Sequence, residues 1–348
     1  MSRRPVRPRP TPTWRRWLLR VMALLVLALA LMVGAAALWL GRPLDTGGAT
    51  LELSIEPGTS PRGIAQAVVQ AGARTSAWAL LAWFRLSGDD RQLRAGSYEI
   101  SPETSPLRLT RMLVRGEESL LTLTLVEGWN WRQVRQALAR APALRPDSAA
   151  LDDAALMARL GRPGVAPEGR FFPDTYSYAK GSSDLALLAR ALHAMDRQLE
   201  RAWQARAQGL SIDSPEQALI LASLIEKETG RPQDRAMIAS VFHNRLRIQM
   251  PLQTDPTVIY ALGEAFDGNL KRGHLRIDHP FNTYVRRGLT PTPIAMPGKA
   301  SLLAAVQPAR SQALYFVARG DGSSAFSNDL ASHNAAVRRY QLGQGGTP

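Results

Sequence analysis

Residues 215–232 read "PEQALILASLIEKETGRP", and this stretch decides the architecture of the second half of the chain. It follows a capping serine, Ser214, and carries proline in its first turn and glutamine at the third helical position, the pattern of a capping box. Ala218 to Ile225 are apolar on every side, which indicates a helix buried all round. Glycine and proline end the stretch. The sequence therefore predicts a central, buried helix.

Two glutamates, Glu226 and Glu228, stand at the end of this buried helix. At about 100° per residue they point roughly 200° apart, so they cannot serve one site as neighbours. Glu226 has the small residues Ala222 and Ser223 one turn behind it, which leave room for a ligand. Burial favours the protonated form of a carboxyl group, the form that a general acid needs. The alternative is a glutamate held in a structural ion pair, and this stretch alone leaves both open.

Glu228 has larger neighbours behind it and is expected to be structural. We expect it to pair with an arginine such as Arg231 or Arg235.

The composition excludes several classes of protein. The chain has 348 residues, 45% of them hydrophobic, and no cysteine, which excludes disulfides and cysteine chemistry. The net charge is +14, but half of it comes from the seven arginines within residues 1–20, which contain no acidic residue. No basic and aromatic nucleic-acid module is present, so we expect no nucleic-acid partner. Neither the five histidines nor the glycines show the spacing of a metal site or a phosphate-binding loop, so no cofactor is expected.

Residues 21–40, "VMALLVLALALMVGAAALWL", predict one transmembrane helix. The preceding arginines mark the cytoplasmic side, and Trp14, Trp17 and Trp39 stand where interfacial aromatic residues belong. A cleaved signal peptide usually has a shorter apolar core and a small-residue cleavage site. We therefore expect an uncleaved anchor of the bacterial inner membrane, with the N-terminus in the cytoplasm and the rest of the chain outside it.

Hydrophobic periodicity beyond the anchor predicts an α+β protein. A β-α-α-β unit is expected over 51–100. Further elements are expected as helix 106–115, strand 120–128, helices 130–140, 184–207 and 234–247, a hairpin from "LYFVA" and "SAFS", and a helix at 329–341. The expected domains are a basic tail (1–20), the transmembrane helix (21–40), a small α+β module (50–140), a connection with one short helix (141–167) and a mixed α/β catalytic domain (168–341).

Three further stretches offer groups that could bind a polyol substrate. "EGRFFPDTYSY" (168–178) places Tyr176 and other aromatic residues around Asp174, which suits a sugar-binding groove as well as a core. "MPLQTDPTVIY" (250–260) and "HPFNTYVRRGLTPTPIAMPG" (279–298) are rich in proline and neutral hydrogen-bonding side chains. The candidates that they contribute are Gln253, Thr254, Asp255, Asn282 and Tyr284.

Together with "SLIEKETG" and the membrane anchor, these motifs resemble the endolytic murein transglycosylases of the YceG-like family, over about residues 50–341. The resemblance implies a LysM-like subdomain at the β-α-α-β unit and a catalytic domain that cleaves peptidoglycan glycan strands near the membrane. It also implies that Glu226 is the catalytic glutamate and that Gln253, Thr254, Asp255, Asn282, Tyr284, Asp174 and Tyr176 contact substrate. The implied partners are glycan strands, the membrane and, as candidates, peptidoglycan synthases.

A lytic transglycosylase splits the β-1,4 bond between N-acetylmuramic acid and N-acetylglucosamine without adding water. One carboxyl group suffices, because it first gives a proton to the leaving oxygen and then takes one from the muramoyl C6 hydroxyl. Two alternatives remain. A non-catalytic wall-binding scaffold would tolerate neutralisation of Glu226, and a glycan hydrolase would need a second carboxylate, for which Asp174, Asp255 and Glu228 are the candidates.

Overall fold

The computed structural model describes residues 13–117 and 119–342. The chain forms two compact units, one up to Leu120 and one from Leu121 onward. Residues 1–12 of the predicted basic tail lie outside the described part of the chain.

Helix α1 (Thr13–Gly41) contains the predicted transmembrane segment. By length and composition, Trp17–Gly41 could cross a membrane, and none of its most apolar stretch is buried inside the protein. An exposed apolar helix of this length matches the hydrocarbon thickness of a bilayer. The helix is therefore compatible with a membrane anchor.

The first unit contains the predicted β-α-α-β order. Its elements are β1 (Leu51–Ile55), α2 (Pro61–Gln70), α3 (Ala77–Leu86), β2 (Gly96–Ile100) and α4 (Pro106–Arg115). The two strands are antiparallel, with Leu53 opposite Tyr98, and both side chains are buried against the helices. Ser60 and Ser76 begin α2 and α3 by accepting a backbone N–H from three residues further on. The predicted α+β character of this region is confirmed.

The second unit begins before the boundary that the sequence suggested at residue 140. Helix α5 (Trp131–Arg140) follows a full capping box and turns Trp131, Val134 and Leu138 into the core of this unit. The Trp131 ring stacks on Phe171, with 4.9 Å between the ring centroids. Because the apolar face of α5 is buried here, the helix is part of the second unit.

The expected connection over 141–167 also packs into this core. It contains the one short helix that the sequence predicted, α6 (Asp153–Arg159). Leu144, Leu156 and Met157 are buried in the same cluster as α5. This stretch therefore forms part of the compact unit and does not link two units.

Strand β3 (Leu120–Thr124) forms a two-stranded sheet with β4 (Thr175–Ala179). The predicted strand continued to residue 128, but the chain leaves the sheet after Leu125, whose N–H donates to the Asp174 carbonyl at 3.0 Å. It then crosses to another partner, where the Gly128 N–H donates to the Met296 carbonyl at 2.9 Å. This crossing positions residues 125–129 over the end of the central helix.

The remaining core of the second unit is helical and is centred on one helix. The helices are α7 (Asp184–Gln204), α8 (Pro215–Glu228), α9 (Pro232–Arg247), α10 (Asp255–Leu262) and α11 (Lys299–Val306). Helix α8 is the predicted central helix, and every residue from Ala218 to Ile225 is buried. The sequence did not predict α10 and α11, because both are short and follow proline-rich loops that dominate the local pattern.

The last elements match the sequence prediction. Strands β5 (Tyr315–Ala318) and β6 (Ser324–Ser327) form an antiparallel hairpin. Helix α12 (Leu330–Tyr340) follows, capped by Asp329.

The loop at Gly169 makes a close backbone contact that we expect to tolerate no side chain. Gly169 has φ +78°, and a Cβ there would come within 2.6 Å of Pro293 Cγ. Gly169→Ala should therefore lower the free energy of unfolding by about 3 kcal/mol. Gly164 has φ +77° with nothing within 4 Å, so Gly164→Ala is the matched control and should cost about 1 kcal/mol. Denaturant unfolding measures both, and equal losses would contradict the steric contact.

Candidate active site

Glu226 lies in the last turn of α8 with its side chain only 6% exposed. Its Oε2 accepts the backbone N–H of Gly298 at 3.0 Å. Its Oε1 lies 3.6 Å from Nη2 of Arg235, a side chain on α9 that is also buried. Because a backbone amide and a guanidinium both face the carboxylate, a negative charge can form here without being left unpaired.

The space behind Glu226 is filled by the protein itself. Ser223 is fully buried, donates its hydroxyl to the Ile220 carbonyl at 2.7 Å and accepts the Ile294 N–H at 3.1 Å. Residues 293–298 are all buried as they run along the helix. The prediction that Ala222 and Ser223 leave room for a ligand is wrong, because these small residues admit the proline-rich segment instead.

A second carboxylate that the sequence analysis did not identify lies beside Glu226. Gly128 packs against the Glu226 side chain, and the carboxylate of the preceding residue, Glu127, lies directly against Gly298. Partial burial and the negative charge of Glu226 raise the pKa of Glu127, and Arg235 acts in the opposite direction. The only local signal was a glutamate and a glycine between a strand and a helix, which is too common to single out.

A cleft of about 900 Å³ opens beside these residues. Gly128, which packs against the Glu226 side chain, and Lys227, the residue after Glu226, belong to its lining. The other residues that line it include the aromatic side chains Trp131, Tyr260, Phe266 and Phe281 and the polar side chains Asn130, Arg132, Gln133, Glu168 and His279. The cleft therefore combines flat apolar faces with hydrogen-bonding groups of both kinds.

Glu168 joins two walls of the cleft. Its carboxylate accepts the Trp131 N–H, at 3.0 and 3.1 Å to its two oxygens, and the Tyr260 hydroxyl at 3.1 Å. Burial raises the pKa of Glu168 to about 7, although these donors favour the ionised form. No local sequence signal singles out Glu168, because its hydrogen-bond partners are 37 and 92 residues away.

The hydrogen-bond partner of Glu228 differs from the predicted arginine. It accepts the Thr254 hydroxyl at 2.7 Å. Arg235 instead faces Glu226, and Arg231 lies 3.9 Å from Asp321. Burial raises the pKa of Glu228 to about 7.

The five candidates from the two proline-rich stretches lie together, but in different environments. Thr254 and Asn282 are fully buried. The Thr254 N–H donates to Thr283 Oγ1 at 3.1 Å, and the Asn282 amide donates to the carbonyls of Leu275 and Ile277. The other three are more accessible: Gln253 and Asp255 are exposed, and the Tyr284 hydroxyl donates to Asp255 at 2.6 Å. The first two hold the loops together, and the other three present polar groups at the surface.

Asp174 and Tyr176 lie away from the cleft lining. Tyr176 is buried, and its hydroxyl donates to the Phe172 carbonyl at 2.7 Å. Asp174 accepts the N–H of its neighbour Thr175 at 2.7 Å. The aromatic side chains of residues 171–178 belong to the hydrophobic cores, which is the alternative that the sequence left open.

We expect the stability of the second unit to fall as the pH rises from about 4.5 to about 7. Glu168 and Glu228 both hold protons up to about pH 7 in the folded protein, whereas the unfolded chain releases them near the ordinary value of 4.5. The folded state therefore binds more protons in this window, and each group costs up to about 3 kcal/mol above it. Denaturant unfolding at pH 5 to 8 measures the decline.

Glu168→Gln and Glu228→Gln should each flatten this decline, because a neutral amide does not titrate. Glu200, exposed on α7 and bonded to Gln204, supplies the matched control, Glu200→Gln. A free energy of unfolding that rises between pH 5 and pH 8 would contradict the expectation.

Comparison with known proteins identifies relatives of the chain. An endolytic murein transglycosylase from Bacillus subtilis (strain 168) is 40% identical over 173 residues, which cover 50% of this chain and 48% of that protein. Endolytic murein transglycosylases from two Streptococcus pneumoniae strains, D39 and R6, are 29% identical over 297 residues, covering 71% of this chain and 51% of theirs. The chain thus spans about half the length of these relatives.

The fold has a solved counterpart. A crystal structure of a YceG-like protein from Listeria monocytogenes matches 83% of this chain and 99% of that chain, with a TM-score of 0.52 and 28% identity. The model of the YceG-like family matches residues 53–339, which include every element of both units from β2 to β6. The chain belongs to the YceG-like family.

Proposed function

We propose that this chain is a membrane-anchored endolytic transglycosylase that cleaves the β-1,4 bond between N-acetylmuramic acid and N-acetylglucosamine in nascent peptidoglycan strands. The observation that carries the proposal is Glu226, a carboxyl group shielded from water at the end of a buried helix and next to a large cleft. The relatives named endolytic murein transglycosylases support the same reaction.

In the proposed reaction Glu226 acts first as an acid and then as a base. Its proton goes to the bridging oxygen, the bond from that oxygen to the muramoyl C1 breaks, and N-acetylglucosamine leaves with its hydroxyl restored. The Glu226 carboxylate then takes the proton of the muramoyl C6 hydroxyl, whose oxygen bonds to C1 and closes a 1,6-anhydro ring. The Gly298 N–H and Arg235 stabilise the carboxylate between the two steps. Shielding from water favours ring closure over hydrolysis.

The cleft supplies the binding surface in this proposal. Aromatic faces at Trp131, Tyr260 and Phe281 suit the apolar faces of sugar rings, and Asn130 and Gln133 suit hydroxyl and acetamido groups. Stem peptides and lactyl groups carry carboxylates, and the positively charged side chains of Arg132 and Lys227 line the cleft.

The seven candidate substrate residues remain predictions, and their surroundings suggest different roles. The accessible Gln253, Asp255 and Tyr284 suit direct contact with substrate. The buried Thr254 and Asn282 suit support of those three, and Asp174 and Tyr176 would act only on a strand extending beyond the cleft.

We further propose that α1 holds the chain in the inner membrane with the N-terminal arginines in the cytoplasm, and that the β-α-α-β unit is a LysM-like glycan-binding module. Peptidoglycan synthases are the candidate protein partners. The chain has no cysteine, so single-cysteine variants report orientation directly. In intact spheroplasts, an impermeant maleimide should label Ala331→Cys and leave Ser2→Cys unlabelled. The opposite pattern would overturn the orientation, and labelling of neither before lysis would exclude exposure of the second unit outside the cell.

The decisive variant for the activity is Glu226→Gln, which keeps an acceptor for the Gly298 N–H but cannot shuttle a proton. Wild-type protein and the variant are incubated with uncrosslinked peptidoglycan strands, and the new ends are read by mass spectrometry. We expect 1,6-anhydro ends, one water lighter than hydrolysis products, from the wild type. The variant should be slower by roughly 10² to 10⁴-fold, and Glu200→Gln should be unaffected.

Two outcomes would overturn the proposal. Reducing ends that carry an added water would make the chain a hydrolase. Binding without cleavage by both proteins would make it a wall-binding scaffold. Denaturant unfolding checks that Glu226→Gln remains folded.

A further inference from the structure

Residues 271–287 form a strongly basic stretch beside the cleft, and we call them the basic rim. They contain Lys271 and four arginines but only one acidic residue, Asp278, so their formal charge is +4. The arginines of residues 1–20 contribute +7 of the net charge of +14, which leaves +7 for the rest of the chain. More than half of that remainder therefore lies in the basic rim, and such a concentration of charge attracts anions.

The basic rim packs against a wall of the cleft. Its residues His279 and Phe281 line the cleft together with Tyr260 of α10. The ring centroids of Phe281 and Tyr260 lie 4.9 Å apart. The Tyr284 hydroxyl donates to Asp255, at the start of the same helix, at 2.6 Å. A ligand that lies in the cleft is therefore next to the basic rim.

Hydrogen bonds within the basic rim hold its backbone in place. Asn282 is fully buried, and its amide donates to the carbonyls of Leu275 and Ile277 at 3.2 and 2.8 Å. The Arg286 Nε–H donates to the Asp278 carboxylate at 2.9 Å. The points at which the arginine side chains leave the backbone are therefore fixed before a ligand arrives, which lowers the ordering cost of binding.

Three arginines of the basic rim are available to a ligand. Arg272, Arg276 and Arg287 are exposed, and their side chains make no ion pair or hydrogen bond within the part of the chain that the structure describes. The acidic residue of the rim, Asp278, is already paired with Arg286. A free guanidinium can bind a carboxylate through two parallel N–H donors.

Apolar side chains stand beside these arginines. Ile277, which follows Arg276, is 42% exposed, and Val285, two residues before Arg287, is 45% exposed. Guanidinium groups and exposed aliphatic side chains together suit an acidic peptide, which offers carboxylates and small apolar side chains. A bare polysaccharide or an inorganic anion would leave the aliphatic side chains without a partner.

We propose that the basic rim binds the stem peptides of the glycan strand, with Arg272, Arg276 and Arg287 pairing with stem carboxylates. This inference rests on the proposed transglycosylase function, because that function places a glycan strand in the cleft. The basic rim contributes to binding and takes no part in bond cleavage. It therefore selects strands whose stem peptides still carry free carboxylates.

Binding of glycan strands to the full chain tests this inference. The protein carries Glu226→Gln so that no strand is cut, and it is held in nanodiscs of zwitterionic lipid, which has no net charge. Two ligands are compared: uncrosslinked strands with native stem peptides, and the same strands with their stem carboxyl groups converted to amides. The native strands should bind about tenfold more tightly at low salt, and added salt should reduce the difference.

Replacement of the three free arginines should remove most of this preference. In the rim variant, which combines Arg272→Gln, Arg276→Gln and Arg287→Gln, native strands should bind about tenfold more weakly, because three ion pairs are lost. Binding of the amidated strands should change little. With Glu226 intact, the same three substitutions should raise KM about tenfold and leave kcat unchanged, as expected for a contact made equally before and during the reaction.

A control variant removes the same amount of charge elsewhere in the second unit. It replaces three exposed arginines that do not line the cleft. The substitutions are Arg140→Gln, Arg310→Gln and Arg338→Gln. This control variant should keep the preference for native strands, because the loss in the rim variant depends on position and not on net charge.

Several outcomes would overturn the inference. One is equal binding of native and amidated strands, and another is an equal loss in the rim and control variants. Hydrogen exchange in nanodiscs with and without anionic lipid tests a different partner. If anionic lipid protects residues 271–287 while the rim variant binds strands normally, the basic rim faces the membrane surface and the inference is wrong.

The binding measurement also separates this inference from the proposed function, because it requires no cleavage. Binding of native strands that depends on the three arginines, in a protein that makes no anhydro ends, would support the basic rim and refute the proposed reaction. Anhydro ends from a protein whose strand binding ignores these arginines would refute the basic rim alone.

Discussion

The docking of residues 293–298 along helix α8 is the interaction on which the rest of the second unit depends. It is made of two backbone amides, at Ile294 and Gly298, that donate to side chains of Ser223 and Glu226 one turn apart on the helix. Each bond lies in a buried region, where an unmatched polar group costs about 1–3 kcal/mol. The segment therefore fixes the helix end, and the helix end fixes Glu226.

This arrangement explains why a carboxylate stands at the end of an apolar helix. The helix has to be apolar on every side because α7, α9, α11 and the 293–298 segment cover it. Its last turn emerges beneath residues 125–129, where the chain leaves sheet β3–β4 and bonds to Met296. The same crossing delivers Glu127 to Gly298 and Gly128 to the cleft. One loop thus connects the sheet, the helix and the site.

Local signals in the sequence predicted those features that depend on neighbouring residues. The cap at Ser214 begins α8 where expected, and hydrophobic periodicity predicted the β-α-α-β order of β1, α2, α3 and β2. The apolar run and the helix-breaking glycine and proline after it are enough to predict the central helix and to place the two glutamates at its end. The site was only half predictable, because its remaining parts meet through contacts across the chain: Glu168 finds its partners 37 and 92 residues away, and position 127 meets position 298. Arg235, which the sequence suggested as a partner of Glu228, faces Glu226 instead. The direction of helix α9, and not the distance along the sequence, decides which carboxylate this arginine faces.

Comparison of the three buried carboxyl sites shows why a perturbed pKa does not by itself mark a catalytic residue here. Glu168 and Glu228 both have pKa values raised to about 7, yet their oxygens are taken by donors that belong to the fold: the Trp131 N–H and Tyr260 hydroxyl for one, the Thr254 hydroxyl for the other. The hydrogen bonds of these two carboxyl groups join elements of the fold. Glu226 differs in its surroundings: one amide, one guanidinium beyond hydrogen-bond distance, and a neighbouring carboxylate. The amide and the guanidinium can stabilise a negative charge on Glu226 when it forms. A group that acts first as an acid and then as a base requires such stabilisation.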